Sequence, residues 1–416
     1  MTEAARILTA EQKDEPAAKK PTLDTEVKAS GTDFATALQA IATDYGRPLQ
    51  QVVMEIARLS FGPGKVSFDE YMALRLFDDA GLGGADKTAF AGLKAAQSLW
   101  LTANADPTWF GIVDNKLAIT TLLAGYGLRT IPTAALFAPG RRYPAVTTLG
   151  TADDLAAWLR RATYPLFGKA VSSNRSLGSA SLVSFDADAD VVTLLSGERV
   201  AVATFCAEVA AKFAEGYLLQ PRVEPHPAAK VICGDRLACV RVMTINGAAG
   251  PEVLRAVWKI PAGDNVADNF WRGNILCQID LETGRVVRAI TGTGLACRQV
   301  ETHPDTGATL TGIEVPGWAG IIDTAVAGAA ALPDVPLIGW DIAATTSGAV
   351  IVEPNNTPDL FMVQLADRRG ILDARFKAFL AHCETRNRER ATREREQRRS
   401  ANAARMGRLG QQIKGA

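Results

Sequence analysis

The chain has 416 residues, of which 47% are hydrophobic and 22% are charged, and its 45 basic and 45 acidic side chains cancel. This composition is typical of a globular protein that is long enough to form two or three packed lobes. A net charge of zero gives no global field that would attract nucleic acid or a membrane surface, and no apolar run reaches the length of a bilayer span. We therefore expect partners other than membranes and nucleic acids.

The cysteines and histidines limit the kinds of metal site that the chain can form. The six cysteines lie in apolar stretches without a Cys-x-x-Cys pair, which favours buried free thiols in a reducing cytoplasm over a structural zinc. The three histidines, His226, His303 and His382, are too few and too scattered for a multi-histidine centre. The N-terminal sequence Met-Thr-Glu-Ala-Ala-Arg lacks the apolar core of a signal peptide, so we expect a cytoplasmic protein.

The first hundred residues are predicted to be a tail followed by helices. Residues 1–32 are rich in Ala, Lys, Glu, Thr and Pro without periodicity, which predicts a disordered tail. Residues 33–104 carry apolar residues three and four apart, and Ser67 and Glu70 have the spacing of a capping box. We expect a helical N-terminal lobe here.

The remainder is predicted to be α+β in two lobes with a charged tail. Residues 105–383 mix helices with antiparallel strands, and we divide them at about residues 130–225 and 226–383. Residues 384–416 hold ten Lys or Arg and four Glu among helix formers, so a basic helical or disordered tail follows.

Two strands near the C-terminus predict a metal site. Asp341 lies on the first strand, a turn follows at Thr346-Ser347-Gly348, and the second strand ends at Glu353 and Asn355. Side chains two apart on a strand share a face, and a hairpin returns Asp341 to their neighbourhood. Two carboxylates and an amide oxygen form an oxygen-only site of the kind that Mg²⁺ prefers.

A lysine and a loop of small residues predict a phosphate site. Lys169 ends a predicted strand and enters the Ser- and Gly-rich loop 172–179. The N–H groups and hydroxyls of such a loop can close over β- and γ-phosphates while the lysine reaches the α- and β-phosphates. The loop has neither the P-loop motif nor the dinucleotide fingerprint.

An ordered series of motifs carries a family resemblance over residues 105–378. The chain resembles ATP-grasp enzymes, and within them the sugar-transfer-associated group related to α-L-glutamate ligases. The series comprises Asp114-Asn115-Lys116, Phe167-Gly168-Lys169, residues 218–226, residues 241–244, Ala267-Asp268-Asn269, residues 280–284, residues 303–307, residues 315–318, Ile338-Gly339-Trp340-Asp341, Glu353-Pro354-Asn355 and Gln364. The resemblance implies a two-lobed ATP-grasp fold.

The resemblance implies a role for each of these residues. ATP and Mg²⁺, with Mn²⁺ as a substitute, would be the cofactors, and Asp341, Glu353 and Asn355 would bind the metal. Arg241, Lys259 and Arg272 are candidates for the cation that steadies the transferred phosphoryl group or the acyl substrate. The substrate-facing candidates are His226, Asp268, Asn269 and His303, and the nucleotide-binding candidates are Lys116, Lys169, Ser173, Ser176, Gly178, Gln220, Arg222, Val223 and Glu224.

Three positions depart from the family pattern. Gly339 stands where many ATP-grasp ligases carry an arginine, two residues before the first metal acid. Lys259 replaces an arginine, which retains charge but loses bidentate geometry. Arg272 stands where a Gly-Gly pair is expected, and it is either part of the acceptor pocket or a surface arginine. His226 and His303 have structural alternatives as well.

The implied activity is an ATP- and Mg²⁺-dependent carboxylate–amine ligase that acts through an acyl phosphate. Its partners would be a small carboxylic acid and an amine, amino-acid-like or sugar-linked, and a homo-oligomer is left open. Two alternatives remain: a kinase of a small-molecule hydroxyl, which could use the same cations and metal, and a nucleotide-binding protein without turnover. The intact acids and lysines argue against the last.

Overall fold

The computed structural model describes residue 23, residues 34–172 and residues 178–414, with side chains described as far as residue 406. The predicted tail at residues 1–32, apart from residue 23, and the predicted phosphate ligands Ser173 and Ser176 lie outside these residues. The described chain forms 13 α-helices and 14 strands in two sheets. The predicted α+β class and the two-lobed arrangement are confirmed.

In the described chain seven α-helices precede the first strand, and one of them begins at the capping box that the sequence predicts. Ser67 and Glu70 form the expected capping box at the start of α3, and Asn115 caps α7 through the backbone N–H groups of Leu117 and Ala118. The helices are α1 (Phe34–Tyr45), α2 (Leu49–Phe61), α3 (Phe68–Ala73), α4 (Asp79–Leu82), α5 (Leu93–Ala103), α6 (Thr108–Asp114) and α7 (Lys116–Gly125).

The first sheet has seven strands and its own core. Its order is β2-β1-β7-β3-β4-β5-β6, with α8 and α9 packed together on one face. A separate hydrophobic cluster fills this lobe, with Leu155, Phe205 and Tyr217 fully buried. The elements are β1 (Ala135–Phe137), β2 (Thr148–Leu149), α8 (Ala152–Leu159), β3 (Leu166–Ala170), β4 (Ala180–Asp186), β5 (Val191–Leu194), β6 (Arg199–Ala201), α9 (Val202–Lys212) and β7 (Tyr217–Pro221).

The second sheet is antiparallel throughout, in the order β12-β11-β10-β9-β8-β13-β14. Its long strands are antiparallel, as the sequence predicts, and β8, β9 and β13 each contain an almost continuous run of buried residues. The elements are α10 (Pro227–Cys233), β8 (Cys239–Gly247), β9 (Gly250–Ile260), β10 (Ile275–Ile279), β11 (Val286–Thr291), β12 (Arg298–Gln299), α11 (Trp318–Ala331), β13 (Leu337–Thr345), β14 (Gly348–Asn355), α12 (Leu360–Asp367) and α13 (Ala374–Lys414).

The two faces of the second sheet have different coverings. One face packs against α11 through a cluster that contains Trp258, Trp340 and Ile321. The other face presents Met243 and Leu276, among others, to a cluster that also includes residues of α1 to α5, α12 and α13. The N-terminal helices therefore share one continuous core with the second sheet.

Three further features concern the cysteine thiols, the apolar length of the helices and the course of α13. All six cysteine thiols are free, and five of them are buried, as the sequence predicts. Among the described residues, no helix combines the length and the apolar character that crossing a bilayer requires. The C-terminal helix α13 runs without a break through residue 384, where the sequence suggested that a tail begins.

The distal part of α13 is expected to be dispensable for folding. Its last described contacts with the body are those of Arg386 with Pro333 O, Asn387 with Thr102 O, and Arg390 with Asp106, and side chains 391–406 are exposed. Deleting residues 391–416 should change the free energy of unfolding by less than about 0.5 kcal/mol. Urea denaturation of the truncated protein checks this. A deletion that begins at residue 384 also removes the three contacts and should be the less stable of the two.

Candidate active site

A row of polar side chains crosses the middle of the second sheet. Arg241 on β8 is paired with Asp341 on β13, and Asp341 is paired with Glu353 on β14. Directly paired residues of antiparallel strands share a face, so all three side chains project on the same side as Asn355, two residues after Glu353. The hairpin predicted from the sequence thus brings Asp341 opposite Glu353.

Four charges at the centre of this row form a buried network. Arg241 binds Asp341 bidentately, with Nε–Oδ1 at 2.7 Å and Nη2–Oδ2 at 2.8 Å. Lys259 Nζ lies 3.0 Å from Asp341 Oδ1 and 3.2 Å from Asp268 Oδ1. Asp268 Oδ2 accepts a hydrogen bond from Cys239 N at 2.8 Å. The network joins two of the predicted catalytic cations to one predicted metal ligand and one predicted substrate residue.

The network fixes the ionisation of its members. Burial alone would raise the pKa of Asp341, but Arg241 and Lys259 outweigh burial and hold it well below its usual range. Burial alone would lower the pKa of both cations, but the Asp341 carboxylate, with Asp268 for the lysine, raises them above their ordinary values. Burial and the neighbouring Asp341 charge raise the pKa of Asp268. At neutral pH Asp341 is therefore an anion between two cations.

Lowering the pH should remove the stabilisation that the ionised Asp341 contributes to the folded state. Because its folded pKa lies below its unfolded value, its contribution is fully present above the unfolded pKa and is lost as the pH falls towards the folded pKa. We expect the free energy of unfolding to decrease less steeply between about pH 6 and about pH 3.5 in Asp341→Asn than in the unmodified protein. Urea denaturation across this range measures both slopes, and equal slopes would contradict the assignment.

Gly339 makes room for Arg241. A methyl group at Gly339 would lie 2.8 Å from Pro358 Cβ and 3.1 Å from Arg241 Cδ, both closer than ordinary contact. The Arg241 side chain thus occupies the space beside residue 339, the position at which the family resemblance led us to expect an arginine.

Two lysines from outside the second sheet reach the same row. Lys169, on β3 of the first sheet, is only 7% exposed, and its Nζ lies 3.5 Å from Val352 O on β14. Lys116 Nζ lies 3.8 Å from Glu353 Oε2, and the Lys116 backbone N–H donates to Val171 O just after β3. Burial lowers the pKa of Lys169, while the Glu353 carboxylate opposes that shift. The two lysines predicted to bind phosphate therefore converge on one predicted metal ligand.

The loop after Lys169 is described only at its ends. Gly178 has a φ of 72°, and a Cβ at this position would lie 2.3 Å from Phe213 Cζ. Its carbonyl accepts a hydrogen bond from Tyr217 OH. Only glycine fits this backbone and this close approach, so the end of the loop is fixed against the core of the first sheet.

The segment after β7 connects the two sheets. Gln220 is buried, its Nε2 donates to Ile131 O, and its Oε1 has no hydrogen-bond partner in the described chain. Arg222 Nη1 is also buried without a partner, beside a cavity of about 490 Å³. Val223 is half-buried, and Glu224 is exposed and paired with Lys230 at 2.8 Å. A bridge between Pro225 and Thr345 then joins the segment to β13.

The remaining predicted site residues have definite structural partners. His226 Nδ1 accepts from Ala228 N and caps α10, and His303 is buried with Nε2 2.8 Å from Pro261 O. Asn269 caps the short 3₁₀ turn Phe270–Arg272, at which Arg272 is half-buried. Only Asp268 of the predicted substrate group belongs to the charge network above. The substrate roles of all four residues, and the catalytic roles of Arg241, Lys259 and Arg272, stay predictions.

Asn104 is a positioning residue that the sequence did not reveal. This buried side chain donates from Nδ2 to the carbonyls of Leu337 and Asn356, and its Oδ1 accepts from Leu337 N. It thereby ties the C-terminal end of α5 to the start of β13 and to the residue that follows β14. An asparagine after a helix ordinarily indicates a helix end, so its sequence context gave no functional signal.

The donor set fits a magnesium ion. Asn355 Nδ2 donates to Gly339 O, which orients the amide and leaves Oδ1 as an acceptor, and Glu353 is partly exposed. Asp341 Oδ2 accepts only one of its two possible hydrogen bonds, from Arg241. Each of the three residues thus retains an oxygen lone pair for a cation, and Mg²⁺ keeps further positions for water and phosphate.

A family model identifies the protein class. The model of the sugar-transfer-associated ATP-grasp family matches residues 102–379, so the chain belongs to this family. The match begins near the end of α5 and ends within α13, and it therefore contains both sheets and every residue of the candidate site.

Solved structures with a similar fold are distant. The D-alanine–D-alanine ligase from Coxiella burnetii has 12% identity and a TM-score of 0.39, covering 70% of this chain and 62% of that chain. The biotin carboxylase from Campylobacter jejuni has 8% identity and a TM-score of 0.39 over 66% and 47%, and the L-amino acid ligase from Bacillus licheniformis 12% and 0.35 over 69% and 52%. The chain thus spans less than two thirds of the length of each. No curated protein matches the chain.

Proposed function

We propose that the protein is an ATP-dependent carboxylate–amine ligase that forms an amide bond through an acyl phosphate and releases ADP and phosphate. The proposal rests on one observation above all. Lys169 from the first sheet, Lys116 from α7, and an arginine and a lysine from the second sheet converge on the face that carries Asp341, Glu353 and Asn355. Cations beside an oxygen donor set are the equipment that transfer of a phosphoryl group requires.

The chemistry assigns a distinct task to each group. Lys116 and Lys169 would bind the ATP phosphates, since both lie beside Glu353 at the boundary of the lobes. A carboxylate oxygen of the acid substrate attacks the γ-phosphorus, the bond to the β-phosphate oxygen breaks, and ADP leaves. The amine nitrogen then attacks the acyl carbon, phosphate leaves, and the amine loses a proton. Arg241 and Lys259 would hold the acid beside the γ-phosphate and neutralise developing charge.

The metal would act at the edge of this network. Mg²⁺ held by Glu353, Asn355 and Asp341 Oδ2 would neutralise β- and γ-phosphate charge when bound. The buried acceptor Gln220 Oε1, which has no hydrogen-bond partner in the described chain, would meet a donor such as an adenine amino group, and this supports placing the base at the segment after β7. Burial of Lys169 favours a ligand that restores a counter-charge.

The test is a product analysis. Purified protein is incubated with ATP, Mg²⁺, and pooled amino acids and small carboxylates, and ADP, free phosphate and the masses of new products are measured. Equal amounts of ADP and phosphate with a condensed product, absent in Lys169→Met, would support the ligase. ADP with a phosphorylated product and no free phosphate would identify a kinase and overturn the proposal.

A further inference from the structure

A second cavity lies far from the candidate active site. It has a volume of about 520 Å³ and opens between the N-terminal helices and strands β10, β11 and β12. Its wall includes three arginines, two glutamines and one aspartate: Arg75, Arg288, Arg368, Gln278, Gln299 and Asp367. This lining is strongly cationic and rich in hydrogen-bond donors.

The strand register separates the cavity from the charge network. Pairing runs across the sheet from Asp341 to Arg241, Val257, Gln278 and Arg288, one residue on each strand. Four strand spacings amount to about 19 Å. Helix α12 lies between the cavity and the charge network, where it packs over β9 to β11. It begins after β14 and ends at Asp367. The cavity is therefore a separate site on the same face of the sheet.

The arginines of the cavity exceed the carboxylates available to them. Asp78 Oδ2 alone serves both Arg75, at 3.1 Å, and Arg368, at 3.0 Å. Arg288 donates to the carbonyls of Leu365 and Ala366 and, in the described part of the chain, forms no ion pair. Asp367 lies 3.4 Å from a different arginine, Arg255, and it attracts Arg288 without forming an ion pair with it in the described part of the chain. Two cavity arginines thus share one carboxylate, and the third has only a carboxylate that is paired with another arginine.

Backbone conformation and electrostatics indicate that this arrangement of arginines raises the free energy of the folded protein. Arg75 and Arg368 have φ values of 56° and 52°, in the left-handed region that favours glycine. Such outliers concentrate where a site constrains the chain. Burial, with the positive charge of Arg368, lowers the pKa of Arg288 to about 10. A bound anion would relieve the repulsion among these cations.

We propose that this cavity is a binding site for a small oxyanion-bearing molecule, held through a phosphate or carboxylate group by Arg288 with Arg368 and Gln278. Guanidinium groups match both oxyanions in geometry. The site is independent of the reaction assigned to the Asp341 network.

The experiment uses inorganic phosphate and succinate as probes on the full chain. Calorimetric titrations are run at constant ionic strength in chloride buffer without ATP. We expect saturable binding of at least one probe, which also distinguishes a phosphate site from a carboxylate site. Binding should persist in Lys169→Met, which disables the nucleotide cleft, and should weaken by about tenfold or more in Arg288→Gln.

Two further variants guard against misfolding and against a general charge effect. The Gln278 side chain makes no hydrogen bond in the described structure, so Gln278→Glu adds a competing carboxylate without removing a contact. It should weaken binding as Arg288→Gln does. Arg285→Gln changes the same charge at the exposed start of β11, outside the cavity, and should bind normally. Absence of saturable binding in the unmodified protein, or loss in Lys169→Met with retention in Gln278→Glu, would overturn the proposal.

Discussion

Replacing Lys169 by methionine should abolish ATP turnover while leaving the protein at least as stable. The ammonium group is buried, its pKa is lowered by burial, and its nearest acceptor is a carbonyl at 3.5 Å. Methionine fills a similar volume without that desolvation cost. If Lys169 neutralises phosphate charge in the transition state, its loss should reduce kcat by about 10²–10³-fold. Measuring ADP release and the thermal midpoint of the same preparation tests both the loss of turnover and the retained stability.

A lysine elsewhere in the same lobe provides the matched control. Lys212 on α9 pairs with Glu208 at 2.7 Å and donates to Leu23 O, and it has no contact with the Asp341 row among the described residues. Lys212→Met makes the same chemical change and should leave kcat within about twofold, since effects at sites without contact to the chemistry are small. Equal losses in the two variants would show that the Lys169 effect is one of structure rather than of phosphate binding.

Removing both partners of the Arg241–Asp341 pair should cost much less stability than the sum of the two single removals. Arg241→Ala leaves Asp341 and Asp268 facing one cation, Lys259, whereas Asp341→Ala leaves two cations facing Asp268. An uncompensated buried charge costs about 3–5 kcal/mol. The double variant retains the Lys259–Asp268 pair with balanced charge, so it should lose much less than the sum of the two single changes.

A double-mutant cycle in urea measures this coupling. We expect an interaction free energy of about 2–3 kcal/mol, at the upper end for residues in one network. The pair Arg160–Asp190, at 2.8 Å but half-exposed in the first lobe, is the control, and its coupling should lie below about 1 kcal/mol. Additive single effects at positions 241 and 341 would contradict the picture of a buried, mutually compensated pair.

The β13–β14 hairpin shows what the sequence determines. Its β-prone apolar runs and its Thr-Ser-Gly turn specify the two strands, and the two-residue period of a strand shows which side chains share a face, so the proximity of Asp341 and Glu353 could be predicted. The helix caps at Ser67 and Asn115 are equally local, because each depends on a hydrogen bond to residues two or three positions away. Local chemistry of this kind is legible in a single sequence.

The neighbours across the sheet were beyond such reasoning. Arg241 and Asp341 are a hundred residues apart, and a period of two identifies a strand's buried face without naming the strand beside it. For the same reason the sequence did not predict the hydrogen bonds that Asn104 makes to the hairpin. It did not predict the arginine cavity either, because Arg75, Arg288 and Arg368 are far apart in the sequence. The nucleotide-binding roles of all the candidates stay predictions: Lys116, Lys169, Ser173, Ser176, Gly178, Gln220, Arg222, Val223 and Glu224.

The shared core of the N-terminal helices and the second sheet has a consequence for cooperativity. Residues of α1 to α5 belong to one apolar cluster with β8, β10, α12 and α13, whereas the first sheet has a cluster of its own. Elements that share a core lose their packing together, so the helices should not melt as a third unit. Differential scanning calorimetry should resolve at most two transitions, and a nucleotide that contacts both lobes should draw them towards one.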